Sequence, residues 1–326
     1  MSRPTASESG ALTVRTVRIT EYGGPGVMQI VKTALPKPGP GEVLLEVRAA
    51  GVNPIDWKIR SGMRATEPLA EPRGLGSDAA GVISAIGRDV ASLKVGDEVI
   101  ARGLNGAYAS HVLARPENLT PKPAALDWSQ AAALGVPVGT AYQALTSLGL
   151  HSGETLLVHA GSGAVGQAAI QLARHWGATV VATASERNHA RLAALGATPV
   201  SYGPGLVERV RAAAPGGIDV VLDAVGTDEA IEASLELVAD RSRIGTIVVF
   251  LRAEELGILG WTSSVPGYLD DDERQLRVES VPFVADLATR GEFEVEIAAS
   301  YPLERVAEAH ALSETGHVRG KIVLVP

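Results

Sequence analysis

Three glycines at positions 161, 163 and 166 form the motif with the clearest chemistry. Gly161, Ser162, Gly163, Ala164, Val165 and Gly166 make a complete Gly-x-Gly-x-x-Gly run between an apolar stretch at 155–160 and a helical pattern at 165–176. That context is the one a dinucleotide-binding loop requires. The first glycine permits a tight turn, the second lets amides approach a pyrophosphate, and the third lets helix pack on strand. The run predicts a dinucleotide site; a glycine-rich turn without ligand is the alternative.

The residues after the next predicted strand, 178–183, indicate which nicotinamide cofactor fits. An NAD-binding protein places an acidic residue at the end of this strand, where Thr183 stands. The Arg187 guanidinium and the Ser185 hydroxyl suit a 2′-phosphate, which a carboxylate would repel. We therefore expect NADPH, with Glu186 turned inward onto the ribose as the alternative.

Short strands separated by Gly and Pro precede this region. Apolar or alternating runs occur at 14–20, 42–50, 81–86, 98–100 and 108–113, with turn sequences such as 38–41 and 95–97 between them. Frequent short strands with regular turns predict a partly closed β-barrel.

From about residue 126 onward, predicted helices alternate with buried strands. Helices are expected at 129–134, 140–148, 165–176 and 188–195, and strands at 155–160, 178–183, 219–223 and 244–250. Such alternation predicts an α/β fold with a doubly wound parallel sheet. Beyond 250 the pattern weakens: 256–268 is irregular, helices are expected at 274–290 and 303–313, and a last strand at 322–325.

Composition narrows the class of protein. The 326 residues suggest two domains, and the formal charge of −8 carries no long run of one sign, so no nucleic-acid partner is expected. The absence of cysteine excludes disulfides, thiolate metal sites and a Cys nucleophile, and fits a cytoplasmic protein. Residues 1–13 lack the apolar centre of a secretory signal and are expected to be a flexible tail. No apolar run is long enough to predict a membrane span.

Several segments, taken in order, carry a family resemblance. They are Ala-x-Gly-x-Asn-x-x-Asp at 49–56, the Gly- and Ala-rich 74–81, Val-Gly-Asp-x-Val at 95–99, the entry to the glycine loop at 145–166, and Gly-Lys-x-Val-Leu at 320–324. Together they resemble the zinc-independent quinone oxidoreductases, the ζ-crystallin-like proteins of the medium-chain dehydrogenase/reductase superfamily. The resemblance implies a GroES-like barrel from 14–127 and 266–326, a Rossmann NADP-binding domain at 128–265, an active site in the cleft between them, and a homodimer.

Zinc-dependent relatives place Cys where Asn53 stands and Gly-His-Glu where Gly76, Ser77 and Asp78 stand. A catalytic zinc needs about three protein ligands. The seven histidines form no H-x-x-x-H pair, so we expect no metal site.

Without zinc, the acceptor oxygen needs a hydrogen-bond or proton donor, and the candidates are Asn53, Asp56, Trp57 and Lys58. The resemblance implies that Asn53 lies near the nicotinamide. Lys58 stands where the family often has Tyr; it is either a proton donor or a surface lysine on a short helix. The resemblance also implies cofactor contacts at Thr140, Tyr202 and Arg319, while strand ends suggest further ones at Ala224, Val225 and Phe250.

These features predict NADPH-dependent reduction of a small-molecule electrophile, a quinone or related carbonyl compound. Reduction of an activated C=C bond is the first alternative. An NADPH-binding protein without catalytic activity, sensory or structural, is an alternative of another class. A secondary-alcohol dehydrogenase is less favoured, because such enzymes normally need zinc.

Overall fold

The structure is a computed structural model that describes residues 13–63, 65, 67–263, 265 and 267–326. The tail expected at 1–13 lies outside these residues except for Thr13, which begins the first strand. One part of the fold consists mainly of antiparallel strands, and the other is a parallel sheet between helices. The predicted α/β fold is confirmed.

The antiparallel part begins the chain. Its elements are β1 Thr13–Ile19, β2 Gln29–Ala34, β3 Val43–Val52, α1 Pro54–Arg60, β4 Arg73–Gly74, β5 Asp78–Ile86, β6 Glu98–Ala101, β7 His111–Ala114 and β8 Leu119–Pro121. The five predicted strands of this region are present, each within three residues of its expected bounds. The pattern does not predict β2, because most of its side chains are exposed and its apolar Ile30 and Val31 are adjacent rather than alternating with polar residues.

The parallel part follows. Its elements are α2 Trp128–Ala132, α3 Gly135–Ser147, β9 Thr155–His159, α4 Ala164–His175, β10 Thr179–Thr183, α5 His189–Ala194, β11 Thr198–Val200, α6 Leu206–Ala213, β12 Val220–Asp223, α7 Asp228–Leu237, β13 Ile244–Thr246, α8 Ala253–Leu256 and β14 Leu259–Gly260. The strands lie in the order β11-β10-β9-β12-β13-β14, all parallel. This is the predicted doubly wound sheet. The strand order reverses between β9 and β12, and ligands bind beyond such a point.

The strand expected at 244–250 is wrong beyond its first three residues, because β13 ends at Thr246. The Thr246 hydroxyl accepts hydrogen bonds from the N–H groups of Val248 and Val249, both at 3.2 Å, and so turns the chain. Phe250 consequently lies in a 3₁₀ turn rather than at a strand end.

The last elements are α9 Asp271–Thr289, β15 Ile297–Pro302, α10 Val306–Glu314 and β16 Lys321–Val325. β16 pairs with β15 and, in antiparallel register, with β3, so the last strand joins the sheet that contains β3 and β5. The sheet order around it is β15-β16-β3-β5. The largest apolar core lies among β9, β10, α3, α4 and α9. The domain boundaries near 127 and 265 stay predictions.

Candidate active site

The glycine loop joins β9 to α4, and its three glycines serve different purposes. A Cβ on Gly166 would lie 2.4 Å from the Ala160 carbonyl oxygen, and one on Gly161 would lie 2.8 Å from the Ala182 Cβ. Packing therefore requires both glycines. A Cβ on Gly163 would meet only the Ala160 oxygen, at 3.6 Å, which is ordinary contact. Internal packing does not explain Gly163, whereas close approach of a phosphate would.

The tight turn falls on Ala160 rather than on Gly161. Ala160 has φ +59°, in the left-handed region, whereas Gly161 is not among the residues with positive φ. The assignment of the turn to the first glycine is therefore wrong. The Ala160 N–H donates to the Thr183 hydroxyl oxygen at 3.2 Å, which ties the turn to β10. Gly161 is needed instead because β10 packs closely against it.

The N-terminus of α4 is open to an anion. Its N-cap, Gly163, provides no side-chain cap, and the first turn contains no acidic residue. An α-helix leaves its first N–H groups without intrahelical partners and carries partial positive charge at this end. The loop 161–166 therefore fits a pyrophosphate.

The chain end approaches this loop from the other part of the fold. The Gly320 N–H donates to the Ser162 carbonyl oxygen at 3.0 Å. Arg319 precedes it, and its guanidinium lies 2.7 Å from the Glu296 carboxylate. Glu296 also accepts a hydrogen bond from Gln167 on α4 at 2.7 Å. Arg319 is thus close to the loop, with its charge paired.

The adenosine end of the predicted site lies beyond β10 and β11. Thr183 is buried, so it does not reach a ribose as an acidic residue at that position would. Ser185 and Tyr202 follow the ends of these two paired strands, and Tyr202 is 56% exposed. Arg187 is also exposed. Ser185 and Arg187 therefore both lie at this edge of the sheet, where the sequence predicts the contact with a 2′-phosphate.

The loop after β12 is held by a buried carboxylate. Asp223 accepts hydrogen bonds from the N–H groups of Val225 and Gly226, at 3.0 and 2.9 Å, and from the Thr246 hydroxyl at 2.6 Å. These contacts place Ala224 and exposed Val225 at the carboxyl edge of the sheet, as predicted. Two other predicted contacts are less accessible. Thr140 lies within α3 and is 7% exposed, and Phe250 is buried against Tyr268.

A buried polar cluster forms where α1 begins. The Asn53 N–H and the Tyr108 hydroxyl both donate to one oxygen of Asp56, at 2.8 and 2.7 Å. Burial raises the pKa of Asp56 to about 6, although these hydrogen bonds act in the opposite direction. Burial and the nearby Asp56 also hold the pKa of Tyr108 well above its ordinary value. Asp56 therefore retains a proton closer to neutral pH than an ordinary carboxyl.

The Asn53 side chain lies between opposite charges. Its Nδ2 donates to Asp78 Oδ2 at 2.9 Å, and its Oδ1 accepts a hydrogen bond from the Lys321 ammonium. Lys321 Nζ lies 3.6 Å from the same Asp78 oxygen, which also accepts the Val136 N–H at 2.9 Å. Burial lowers the pKa of Lys321, while Asp78 and Asp56 oppose that change. The cluster thus joins β3, β5 and β16 to the start of α3.

Trp57 and Lys58 lie on the half-exposed side of α1, whereas Asn53 and Asp56 face inward. The Lys58 ammonium lies 5.8 Å from the centre of the Trp57 ring, within cation–π range. The structure therefore separates the four residues predicted from this segment into a buried pair and a partly exposed pair.

Sequence reasoning did not place Tyr108, Asp78 and Lys321 in this buried cluster. Asp78 and Lys321 lie inside the family-like segments 74–81 and 320–324, so their positions were noticeable, but nothing in the pattern pairs them with Asn53. Tyr108 has no comparable signal. Among the described residues no group of three or more His, Asp or Glu side chains could hold a metal ion. Within the same residues, no helix has the length and apolar character needed to cross a membrane.

Comparisons with known proteins identify the family and the fold. Residues 39–124 match the alcohol dehydrogenase GroES-like domain, and residues 195–324 match the family described as zinc-binding dehydrogenase. The chain is 32% identical to human quinone oxidoreductase over 334 residues, covering 97% of this chain and 99% of that protein. A mycobacterial protein complexed with NADPH has a TM-score of 0.81 and 30% identity, covering 96% of this chain and all of that one. The CurK enoyl reductase has a TM-score of 0.83 and 26% identity, covering 96% and 99%.

Proposed function

Because the chain belongs to the quinone oxidoreductase family of oxidoreductases, we propose that it reduces a quinone or a related electrophilic carbonyl compound with NADPH and without a metal ion. The identity to human quinone oxidoreductase supports the acceptor class. The NADPH complex of the mycobacterial neighbour supports the cofactor.

The observation that carries the proposal is the N-terminus of α4, which follows Gly163 and has no side-chain cap. Its free N–H groups and the space at Gly163 suit a pyrophosphate. Ser185 and Arg187 would hold the 2′-phosphate, and Tyr202 and Arg319 would contact the phosphates from either side. When bound, NADPH supplies the hydride, and the chain provides orientation and electrostatic stabilisation.

The cluster at α1 would stabilise and neutralise the negative charge that develops on the acceptor oxygen. We propose that Asn53 donates its second Nδ2 hydrogen to the acceptor oxygen, since the first is bound to Asp78. Asn53 is 1% exposed, so this role requires that the acceptor gain access to the buried amide. Asp56 would hold the proton at its carboxyl, because a pKa of about 6 suits proton transfer near neutral pH. Trp57 offers a flat face to a flat acceptor.

Metal-free chemistry follows from the residue types of the cluster. Asn53 and Ser77 replace the zinc-binding Cys and His of metal-dependent relatives, and neither is a strong zinc ligand. The Lys321 ammonium lies 3.6 Å from Asp78, where it would repel a second cation. We therefore expect a chelator to leave the rate unchanged.

Reduction of an activated C=C bond is the second candidate, and the likeness to the CurK enoyl reductase favours it. Both reactions need an oxygen-directed donor, so the present geometry serves either. The test is NADPH and NADH oxidation with 1,4-benzoquinone and with a 2-alkenal, each with chelator. Quinone-dependent oxidation preferring NADPH supports the proposal. Turnover of the alkenal alone would indicate the second function. Tight NADPH binding without turnover of either acceptor would indicate an NADPH-binding protein without catalytic activity.

The role of Arg187 is tested by Arg187→Ala. Loss of its guanidinium should weaken NADPH binding at least about tenfold and leave NADH binding unchanged, because only NADPH carries the 2′-phosphate. Arg211→Ala is the matched control, since Arg211 is a comparably exposed arginine that pairs with Glu236 on α7. Fluorescence titration measures the dissociation constants of NADPH and NADH for the wild type and both variants. Equal weakening for both cofactors would contradict the phosphate contact.

We also propose a homodimer, as the family resemblance implies. β14 is the last strand in the described order of the parallel sheet, and an edge strand offers unpaired backbone groups to another chain. Light scattering after gel filtration measures the mass. A cytoplasmic location stays a prediction from the sequence.

A further inference from the structure

We propose that Lys321 and Asp78 are positioning residues that fix and polarise the side-chain amide of Asn53. This inference rests on the proposed function, in which that amide donates a hydrogen bond to the acceptor oxygen. It adds two residues that are far apart in the sequence to the chemistry of the site.

The chemistry of the neighbours determines which way the amide points. A carboxylate only accepts hydrogen bonds and an ammonium only donates them. The Asn53 Nδ2 must therefore face Asp78, and its Oδ1 must face Lys321. A flipped amide would place N–H against ammonium and carbonyl against carboxylate. One Nδ2 hydrogen remains available to a ligand, and the two contacts of the amide fix its direction.

The contact with Lys321 makes that hydrogen a stronger donor. An ammonium bound to Oδ1 draws electron density from the amide, which increases the positive charge at Nδ2. Lys321, Asp78 and Asn53 are 3%, 1% and 1% exposed, and electrostatic effects are larger where water is excluded. The Asp78 carboxylate balances the ammonium, which keeps a buried charge from standing alone.

Two glycines leave room for the side chains of Asp78 and Lys321. A Cβ on Gly135 would lie 2.2 Å from Asp78 Oδ1, and one on Gly51 would lie 3.0 Å from Lys321 Cε. A side chain at either position would therefore crowd Asp78 or Lys321. The Val136 N–H at the start of α3 donates to Asp78, and the helix N-terminus favours the negative charge there.

The strand order brings the charged side chains of Asp78 and Lys321 to Asn53. Asn53 directly follows β3, whose neighbours are β5, which begins at Asp78, and β16, which begins at Lys321. Gly51 pairs with Asp78 on one side and with Val323 on the other. The fold thus places opposite charges on both sides of one strand end.

The test is a double-mutant cycle on Asn53→Ala and Lys321→Met, with kcat and KM measured for the acceptor at saturating NADPH. Lys321→Met should lower kcat about tenfold or more, with acceptor KM and NADPH affinity changed less than about threefold. In the Asn53→Ala background the same change should lower kcat less than about twofold. Equal losses in both backgrounds would overturn the proposal, because Lys321 would then act independently of Asn53. Lys94→Met, an exposed lysine, is the matched control.

Removal of Lys321 alone leaves the Asp78 charge buried, which can prevent folding. Lys321→Met/Asp78→Asn removes both charges and should show the same loss of kcat. A readout independent of turnover is the Asn53 side-chain NH₂ signal in NMR of protein labelled on asparagine nitrogen, assigned with Asn53→Ala. It should shift and exchange faster in the charge-free variant; an unchanged signal would refute the positioning role. If wild type reduces only an alkenal, the proposed acceptor fails and the cycle is run with the alkenal.

Discussion

Asp56→Asn tests whether the buried cluster holds a proton. The substitution keeps an oxygen that can accept from the Asn53 N–H and the Tyr108 hydroxyl, but it removes the titrating carboxyl. Burial raises the pKa of Asp56 from 3.8 to about 6. The native state therefore binds this proton more tightly than the unfolded chain. The resulting stability is fully present below the unfolded pKa of 3.8 and is lost as pH rises through about 6.

The size of the effect follows from the two pKa values. At about 1.4 kcal/mol for each pH unit, the difference between 3.8 and about 6 corresponds to about 3 kcal/mol. We expect wild type, relative to Asp56→Asn, to lose about that much free energy of unfolding between acidic and neutral pH. Other titrating groups, such as buried His159 with its pKa lowered to about 4, are common to both proteins and cancel.

Urea denaturation followed by tryptophan fluorescence, repeated from acidic to neutral pH, measures this difference. Asp271→Asn is the control, because the Asp271 side chain is 98% exposed and its curve should run parallel to wild type. A constant difference between wild type and Asp56→Asn across the range would refute the reasoning, since Asp56 would then titrate as it does in the unfolded chain.

Two further predictions concern backbone space and a buried charge. Gly163→Ala should change the free energy of unfolding by less than about 1 kcal/mol yet weaken NADPH binding, whereas Gly166→Ala should impair both; a stability loss at Gly163 as large as at Gly166 would contradict this. Glu314→Ala should cost about 3 kcal/mol in urea denaturation, because it leaves the buried Arg60 guanidinium without its carboxylate. Glu308→Ala, on the same helix but exposed, should have little effect, and equal costs would refute the burial argument.

Much of the parallel sheet could be predicted because its strands are buried on both faces and read as continuous apolar runs, as at 155–159 and 220–223. The same rule failed at 244–250, where a single Thr246 hydroxyl turns an apolar run away from the sheet. The glycine motif located the loop but not its turn, since the left-handed residue is Ala160. Patterns of apolar residues report burial, whereas individual hydrogen bonds decide where an element ends.

The cluster around Asn53 shows why a site is harder to predict than a fold. Lys321 and Asn53 are separated by 268 positions, and each lies in a segment that the sequence alone marks as family-like. Their contact exists because β16 and β5 pair with β3 in one register, and a slip of one residue would turn either charge to the opposite face. Register is a property of the paired strands together, not of any one segment. In our proposal the donor strength of Asn53 depends on how β5 and β16 pair with β3, so substitutions that disturb the β16–β3 pairing should weaken catalysis without touching a ligand.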